Sequence, residues 1–499
     1  MSVTFDNIPG SGLIAPLFAF EVTSGGEYES ERRVVLGGHT TDGATLAEGE
    51  MEICTSLEEA TILAGDGSML REMYRIFAQN APTAQIWLSP IAESGVAGTW
   101  TLTVGAPPAA GGTGVVEIGG ESVEVSIGAG DTATAVATAL AAAINDYYNK
   151  LTGAQLQVTA TSAAAVVTAT ARHAGAIFAD FDITVPATTN GNAFDGVLIV
   201  AAGTAPTGTP SLVNFLAAIG DDEASFIVTP FSDDTNLDRA ATALDDTSGR
   251  WAYSRQSYGH YWTVAKGTTG ELTTIGLSRN NRHETIIGRY AGSPHPAWLW
   301  VAGIVAAVAP WLADDTNGNV SRNQTGIVVS GLSAPRSRGN WPAYATRNAL
   351  LAAGISTWKV NGSGDVVIDK LITTYQRNSA DQPDVVFRDV QALYQLMAGL
   401  GIIRADLYNE HGQKALADSN PANLGSISTA KDIKATLVHS YQKCVNRGIF
   451  EDADGFAEKL VVERDSGNSN RVNVLAPIDR VNALDVLAGN AKLYGQYSS

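Results

Sequence analysis

Asp315, Asn317 and Asn319 stand at the first three ligand spacings of a calcium loop, where carboxylate and amide oxygens would ring a hard cation. Val320, however, sits where the sharp turn needs glycine, and Gly326 sits where a bidentate Glu should close the shell. In Asp452-Ala453-Asp454-Gly455, with Glu463 twelfth, the glycine comes two places early. Both stretches read as solvated turns. Gly65-Asp66-Gly67-Ser68, ahead of a helix, could offer amides to a phosphate. No Lys follows and the G-x-x-x-x-G-K-[ST] spacing is missing, so an ordinary helix start is the reading. His260, His283 and His295 share the middle of the chain without a metal-ligand spacing to another His or Cys. Arg282-His283-Glu284 reads as a mutually paired polar cluster. Tyr258, His260, Tyr261 and Trp262 read as core, because a stacking platform for bases would need more basic charge nearby. There is no G-x-S-x-G elbow and no H-E-x-x-H pair. No catalytic residue, cofactor or metal is assigned, and an enzyme is not expected.

The elements that would have to position such groups follow from periodicity. Phe18, Phe20 and Val22 alternate with Ala19 and Glu21, as in a strand. Val34–Gly38 reads as a short buried strand, and Gln85–Leu88 as another. Between them Ser68 suits the N-cap of a helix that places Met69, Met73 and Ile76-Phe77 on one face. Residues 98–204 change character, being rich in Ala, Thr and Gly and nearly free of Lys and Arg. There Val115–Ile127 predicts a hairpin turning at Gly119-Gly120. A helix is expected at Ala133–Tyr148, capped by Asp131 or Thr132, then strands at Gln157–Thr161 and Ala165–Ala171. The strand–helix pattern resumes at Leu212–Ile219 and Ser225–Pro230. In the last third, helices are expected at Asp384–Asn409, Thr429–Asn446 and Val481–Leu493. Strands are expected at Ser356–Val360, Val366–Ile368, Leu371–Gln376, Lys459–Arg464 and Arg471–Pro477.

The expected fold class is mixed α/β (α+β), multidomain. An α/β middle domain at 26–97 and 205–330 is interrupted by an inserted β-rich domain at 98–204. An α/β C-terminal domain covers 331–491, and extended arms occupy 1–25 and 492–499.

Bulk properties narrow the function. A 499-residue chain that is 45% hydrophobic and 17% charged can bury several cores. The formal net charge of −19 argues against a nucleic-acid binder. That charge is uneven: residues 331–499 hold 18 Lys and Arg against 17 Asp and Glu, whereas 98–204 hold 2 against 8. Cys54 and Cys444 form no disulfide framework or metal spacing. The opening Met1–Asp6 lacks the basic and apolar regions of a signal peptide. Ala297–Ala313 is uncharged but barely long enough to span a bilayer and carries Pro310, so a buried helix is expected and no membrane insertion. The Thr/Ala/Gly-rich acidic unit at 98–204 leaves one rival reading from another class, a secreted, surface-layer or adhesive structural protein.

Several segments, in order, carry a resemblance. They are Ala343–Thr357, Leu371–Gln376, Val390–Tyr394, Leu460–Arg464 and Asn470–Leu475, preceded by Gly67–Leu70, Ile86–Pro90, Arg279-Asn280 and Ser293–Trp300. The chain resembles the contractile tail sheath proteins of Mu-type bacteriophages, and the 98–204 unit resembles the extra domain of some of these sheaths. The Ser/Asn-rich stretch Ser419–Ser428 is the clearest departure. The resemblance implies a virion protein, made in the host cytoplasm, that stacks as hexameric rings around the tail tube. Contraction of that helix would drive the tube through the host envelope. It further implies a C-terminal region innermost against the tube and an outward-facing insertion. The implied partners are copies of itself, the tail tube protein, and baseplate and tail terminator or neck proteins. Arms from both termini would exchange strands between subunits, the residues concerned being Phe18, Phe20, Val22, Leu493, Tyr494 and Tyr497.

Overall fold

The computed structural model describes residues 33–106, 110–188 and 191–493. Along the chain come β1 (Val34–Gly38), β2 (Glu52–Cys54), α1 (Leu57–Ala64), α2 (Met69–Asn80) and β3 (Ile86–Pro90). The insertion supplies β4 (Ala97–Val104), β5 (Gly112–Ile118), β6 (Glu121–Ile127), α3 (Ala133–Asn145), β7 (Val158–Ala163), β8 (Val166–Ala174), β9 (Ile183–Thr184) and β10 (Leu198–Ala202). Then follow α4 (Val213–Ile219), β11 (Phe226–Val228), α5 (Asp234–Ala243), β12 (His260–Gly267), α6 (Thr269–Leu277), β13 (Glu284–Tyr290), α7 (Ala297–Leu312) and β14 (Val328–Ser333). The last part holds α8 (Tyr344–Ala352), β15 (Ile355–Val360), β16 (Asp365–Lys370), α9 (Val390–His411), β17 (Ala415–Leu416), β18 (Ile427–Ser428), α10 (Ala430–Asn446), α11 (Ala453–Lys459), β19 (Val461–Arg464) and β20 (Val472–Leu475).

One nine-stranded sheet forms the body, in the order β14-β16-β15-β13-β12-β11-β1-β3-β2. The six strands from β15 to β3 are parallel, with antiparallel strands added at both edges. Because β1 has helices on both sides, every residue of Val34–Gly38 is buried, and the run is apolar without alternation. A Cβ on Gly37 would strike Phe215 of α4, and one on Gly38 would touch Met73 of α2, so α4 and α2 lie on opposite faces. Helix α7 packs with α2. It is apolar all round and buried at fourteen of its sixteen residues, as a helix enclosed by protein must be. Among the described residues no helix is long and apolar enough to cross a membrane.

The insertion builds a four-stranded antiparallel sheet, β10-β4-β8-β7, and a three-stranded one, β6-β5-β9. Val136, Leu140 and Ile144 of α3 fill the space between them. The β5–β6 hairpin turns at Gly119 and Gly120, whose φ values of +58° and +91° only glycine adopts without strain. Ser68 and Thr132 each accept the backbone N–H three residues on, as their expected N-cap roles require, and Thr429 does the same for α10.

Three expected elements differ. The helix expected at Asp384–Asn409 begins at Val390. Upstream, Arg388 O accepts from Thr373 N, and Phe387 O accepts from the Thr373 hydroxyl, so the backbone of 384–389 is spent on the neighbouring segment. For the same reason Leu371–Gln376 forms only a single bridge, Ile372 to Asp389, and no strand. Val481–Leu493 contains no helix. The segment has no side-chain N-cap, and Leu484, Val486 and Leu487 find no core to face.

Candidate assembly surface

The polar groups that could have done chemistry are occupied with each other. Asp314 accepts from Thr316 N and from Asn319 Nδ2, while Asp315 pairs with Arg447 at 3.0 Å. The Asp452 carboxylate accepts Gly455 N–H as the N-cap of α11. Gly67 N–H donates to Gln155 Oε1 and Met69 N–H to His173 Nε2, so side chains of the insertion hold the amides that a phosphate would need. Asp246 takes Arg282 at 2.6 Å and His283 at 3.0 Å. Burial alone would raise its carboxyl, but these two partners hold it down at about 2. Glu284, wholly buried, takes both Arg279 and the Thr374 hydroxyl. His260 and Trp262 lie in the core, and burial pushes the His260 imidazole well below its ordinary value. No group of His, Cys, Asp and Glu among the described residues could hold a metal ion.

The unfinished surface lies at the C-terminal end. Helix α10 starts on a capping box, Thr429 with Asp432, and turns Leu437, Tyr441 and Cys444 inward. Tyr441 is stacked 3.8 Å from Phe456 of α11 and 5.3 Å from Phe450. The hairpin β19–β20 lies against α10, pairing Val461 with Leu475 and Arg464 with Val472. Asp465 fixes its turn by accepting from Gly467 N, Asn468 N and Asn473 Nδ2. Neither strand has a second neighbour among the described residues. Val461, Val474 and Leu475 are exposed. A two-stranded sheet is marginal in water, and its free edges present unpaired N–H and C=O groups to any incoming strand.

Beyond β20 the chain is extended and tied to the body only as far as Asp485. Glu451 N–H donates to Asp479 O at 3.0 Å, the Tyr441 hydroxyl accepts Asp479 N–H at 3.0 Å, and Gln395 Nε2 donates to Val481 O at 2.8 Å. Asn323 Nδ2 donates to Leu484 O at 2.5 Å, and Lys370 pairs with Asp485. Leu484, Val486 and Leu487 are 70%, 77% and 86% exposed, and Leu493 is fully exposed. Each such side chain would gain roughly 1.5–3 kcal/mol by full burial against a partner.

Of the six residues assigned to strand exchange, Leu493 stands free in solvent at the last described position. Phe18, Phe20, Val22, Tyr494 and Tyr497 lie outside the described residues. The open hairpin and the apolar run Leu484-Asp485-Val486-Leu487 were not singled out in the sequence. Their signal was apolar residues beside Gly489 and Asn490 with no cap, which reads equally as a segment awaiting a partner.

Residues 205–374 match the phage tail sheath protein central domain. Along 502 aligned residues the chain is 29% identical to the Mu-like prophage FluMu tail sheath protein of Haemophilus influenzae, covering 98% of this chain and 99% of that one. Among solved structures, the sheath tail protein of Desulfitobacterium hafniense aligns over 94% of this chain and 97% of its own, at 13% identity and a TM-score of 0.49. The anti-feeding prophage helical sheath in its contracted state aligns over 97% and 100%, at 11% identity and a TM-score of 0.48. The last two superpositions are too loose to carry detail. Residues 205–374 thus carry a phage tail sheath central domain, and over nearly its whole length the chain is similar to a tail sheath protein, a structural protein and not an enzyme.

Proposed function

We propose that the chain polymerises as stacked hexameric rings around a tail tube and contracts to drive that tube through the host envelope. The observation that carries this reading is the C-terminal end, where four apolar side chains project into solvent past a well-anchored segment, beside a hairpin with two open edges. A monomer leaves that apolar surface and those backbone groups unsatisfied, and a neighbouring subunit would satisfy both. The arms 1–25 and 492–499 then act as exchanged strands through Phe18, Phe20, Val22, Leu493, Tyr494 and Tyr497. Backbone pairing of this kind survives while side-chain interfaces slide, which suits a lattice with two stable packings.

In the same reading, 26–97 and 205–330 form the middle domain, 98–204 the outward-facing insertion, and 331–491 the inner domain. The near-neutral balance of 331–499 supports that last assignment, since the rest of the chain is strongly acidic. Contact with an acidic tube would be weak per subunit, up to about 1 kcal/mol for an exposed pair, as release during contraction requires. Subunits assemble in the host cytoplasm, with the tube, baseplate and neck proteins as partners.

Deleting Lys492–Ser499 tests the arm. The truncated chain should be folded and soluble yet give no long tubes by negative-stain microscopy. Long tubes from that chain would reject strand exchange through the C-terminal arm.

A further inference from the structure

Three of the seven histidines, His39, His173 and His295, lie on one seam, where the insertion meets the body. His173, on β8, is fully buried. Its Nε2 accepts Met69 N–H at 3.0 Å, which demands a lone pair there, so its Nδ1–H donates to Glu93 Oε1 at 2.5 Å. The other Glu93 oxygen accepts Ala174 N–H at 2.9 Å. The His39 ring stands 5.6 Å from that of His173, with Nδ1 on Ile91 O and Nε2 buried without a hydrogen-bond partner. His295 presses on the Gly119-Gly120 turn, where a Cβ on Gly120 would come within 2.4 Å of Nδ1. The chain enters and leaves the insertion through two strands bridged at Val96 and Thr207. Gly95 and Gly208, at φ +95° and +101°, flank that bridge so closely that a Cβ on Gly95 would lie 1.8 Å from Thr207 O.

We propose that this seam is an acid-operated latch: protonation of His39 and His295 undocks the insertion as a folded body on its Gly95–Gly208 stem, while the nine-stranded sheet stays folded. Burial pushes His39 down to about 4, with the neighbouring His173 adding to the effect and Glu93 opposing it. Burial likewise pushes His295 down to about 4. Glu121 opposes that shift, while Arg75 and Arg289 reinforce it. The other charges at the seam include Arg71 and Arg75 on Glu72, Asp66 on Gln155, and Arg172, which burial pushes below its ordinary value while Asp66 opposes the shift and whose Nε donates to Leu156 O. Burial would raise Glu93, but the hydrogen bonds from His173 and Ala174 outweigh it and hold the carboxyl below its usual range. Apolar packing of Phe178 and Phe181 on Trp298 resists opening.

The sign follows from linkage. A histidine neutral when docked and ordinary when exposed favours neither state above about pH 6.5, and disfavours docking increasingly as pH falls toward 4. At pH 5, a shift from 6.5 to about 4 moves the equilibrium toward the open state about 30-fold, or roughly a thousandfold for His39 and His295 together. Glu93, depressed when docked, pushes the same way as it gains its proton at lower pH.

Amide exchange of the full chain at pH 7.5 and pH 5.0, normalised to intrinsic rates, tests this. Peptides over Gly119–Glu121 and Arg172–Ala174 should lose about a hundredfold or more in protection, and those over β12 and β13 should keep theirs. Equal loss in both regions, or an unchanged seam at pH 5.0, would overturn the latch. The combined variant His39→Gln, His295→Gln should stay docked at pH 5.0, and opening at the wild-type pH would also overturn it. If that variant does not fold, His295→Gln alone should shrink the loss of protection at pH 5.0 about 30-fold, and an undiminished loss would overturn the latch.

Discussion

Replacing Tyr441 with Phe removes one oxygen and leaves the aromatic stack on Phe456 intact. That oxygen donates to Glu451 O at 2.8 Å, with Asp479 O at 3.0 Å as an alternative, and accepts Asp479 N–H at 3.0 Å. Besides that Asp479 contact, six more hold the segment from Asp479 to Asp485: Glu451 N to Asp479 O, Val481 N to Ile449 O, Gln395 to Val481 O, Asn323 to Leu484 O, Arg480 to Asp389, and Lys370 to Asp485. At about 1 kcal/mol net apiece, the whole tether is worth roughly 7 kcal/mol. The variant removes two contacts and leaves the Asp479 N–H without its acceptor, a loss of about 2–3 kcal/mol. Amide exchange over 478–485 should therefore accelerate roughly 30- to 150-fold, while β12 and β13 exchange as before. The urea midpoint should fall by no more than the same free energy. An increase below about threefold over 478–485 would show that the hydroxyl does not tether the tail, and that the exposed segment beyond Asp485 is held by something else.

Two further outcomes follow from single side chains. Gly120→Ala places a Cβ against the His295 ring at φ +91° and should cost about 2–3 kcal/mol in urea unfolding; wild-type stability would contradict the tight turn. Burial raises the thiols of Cys54 and Cys444 to about 11 and about 12, so iodoacetamide at pH 8 should label the native chain at least about a hundredfold more slowly than the denatured one. Rapid native labelling of either would show that its packing opens.

Local rules were legible where local chemistry decides the outcome. Ser68 and Thr132 cap because their hydroxyls reach an amide three residues on, whatever the surroundings, and Gly119-Gly120 turns because little else tolerates those angles. The buried Val34–Gly38 strand showed itself as an unbroken apolar run. What failed was set by distant partners. Asp384–Asp389 has helical spacing, yet Thr373 claims its carbonyls from outside. Val481–Leu493 has enough apolar residues for a helix and no surface to bury them on. The seam histidines were invisible as a group because His39 meets His173, and His295 meets the Gly119-Gly120 turn, only after the insertion folds back onto α2 and α7. The sequence did carry the absence of catalytic spacing, since each motif failed at a named position.

The nine-stranded sheet crosses residue 330 without interruption, β13 lending its parallel edge to β15 and β15 its antiparallel edge to β16. Load arriving from the tail through Lys370, at the end of β16, is thus delivered into a ladder of backbone bonds that runs to β2. Such a plate bends little. A pull on one margin is therefore felt at the other nearly undiminished, as in a lever rather than a spring.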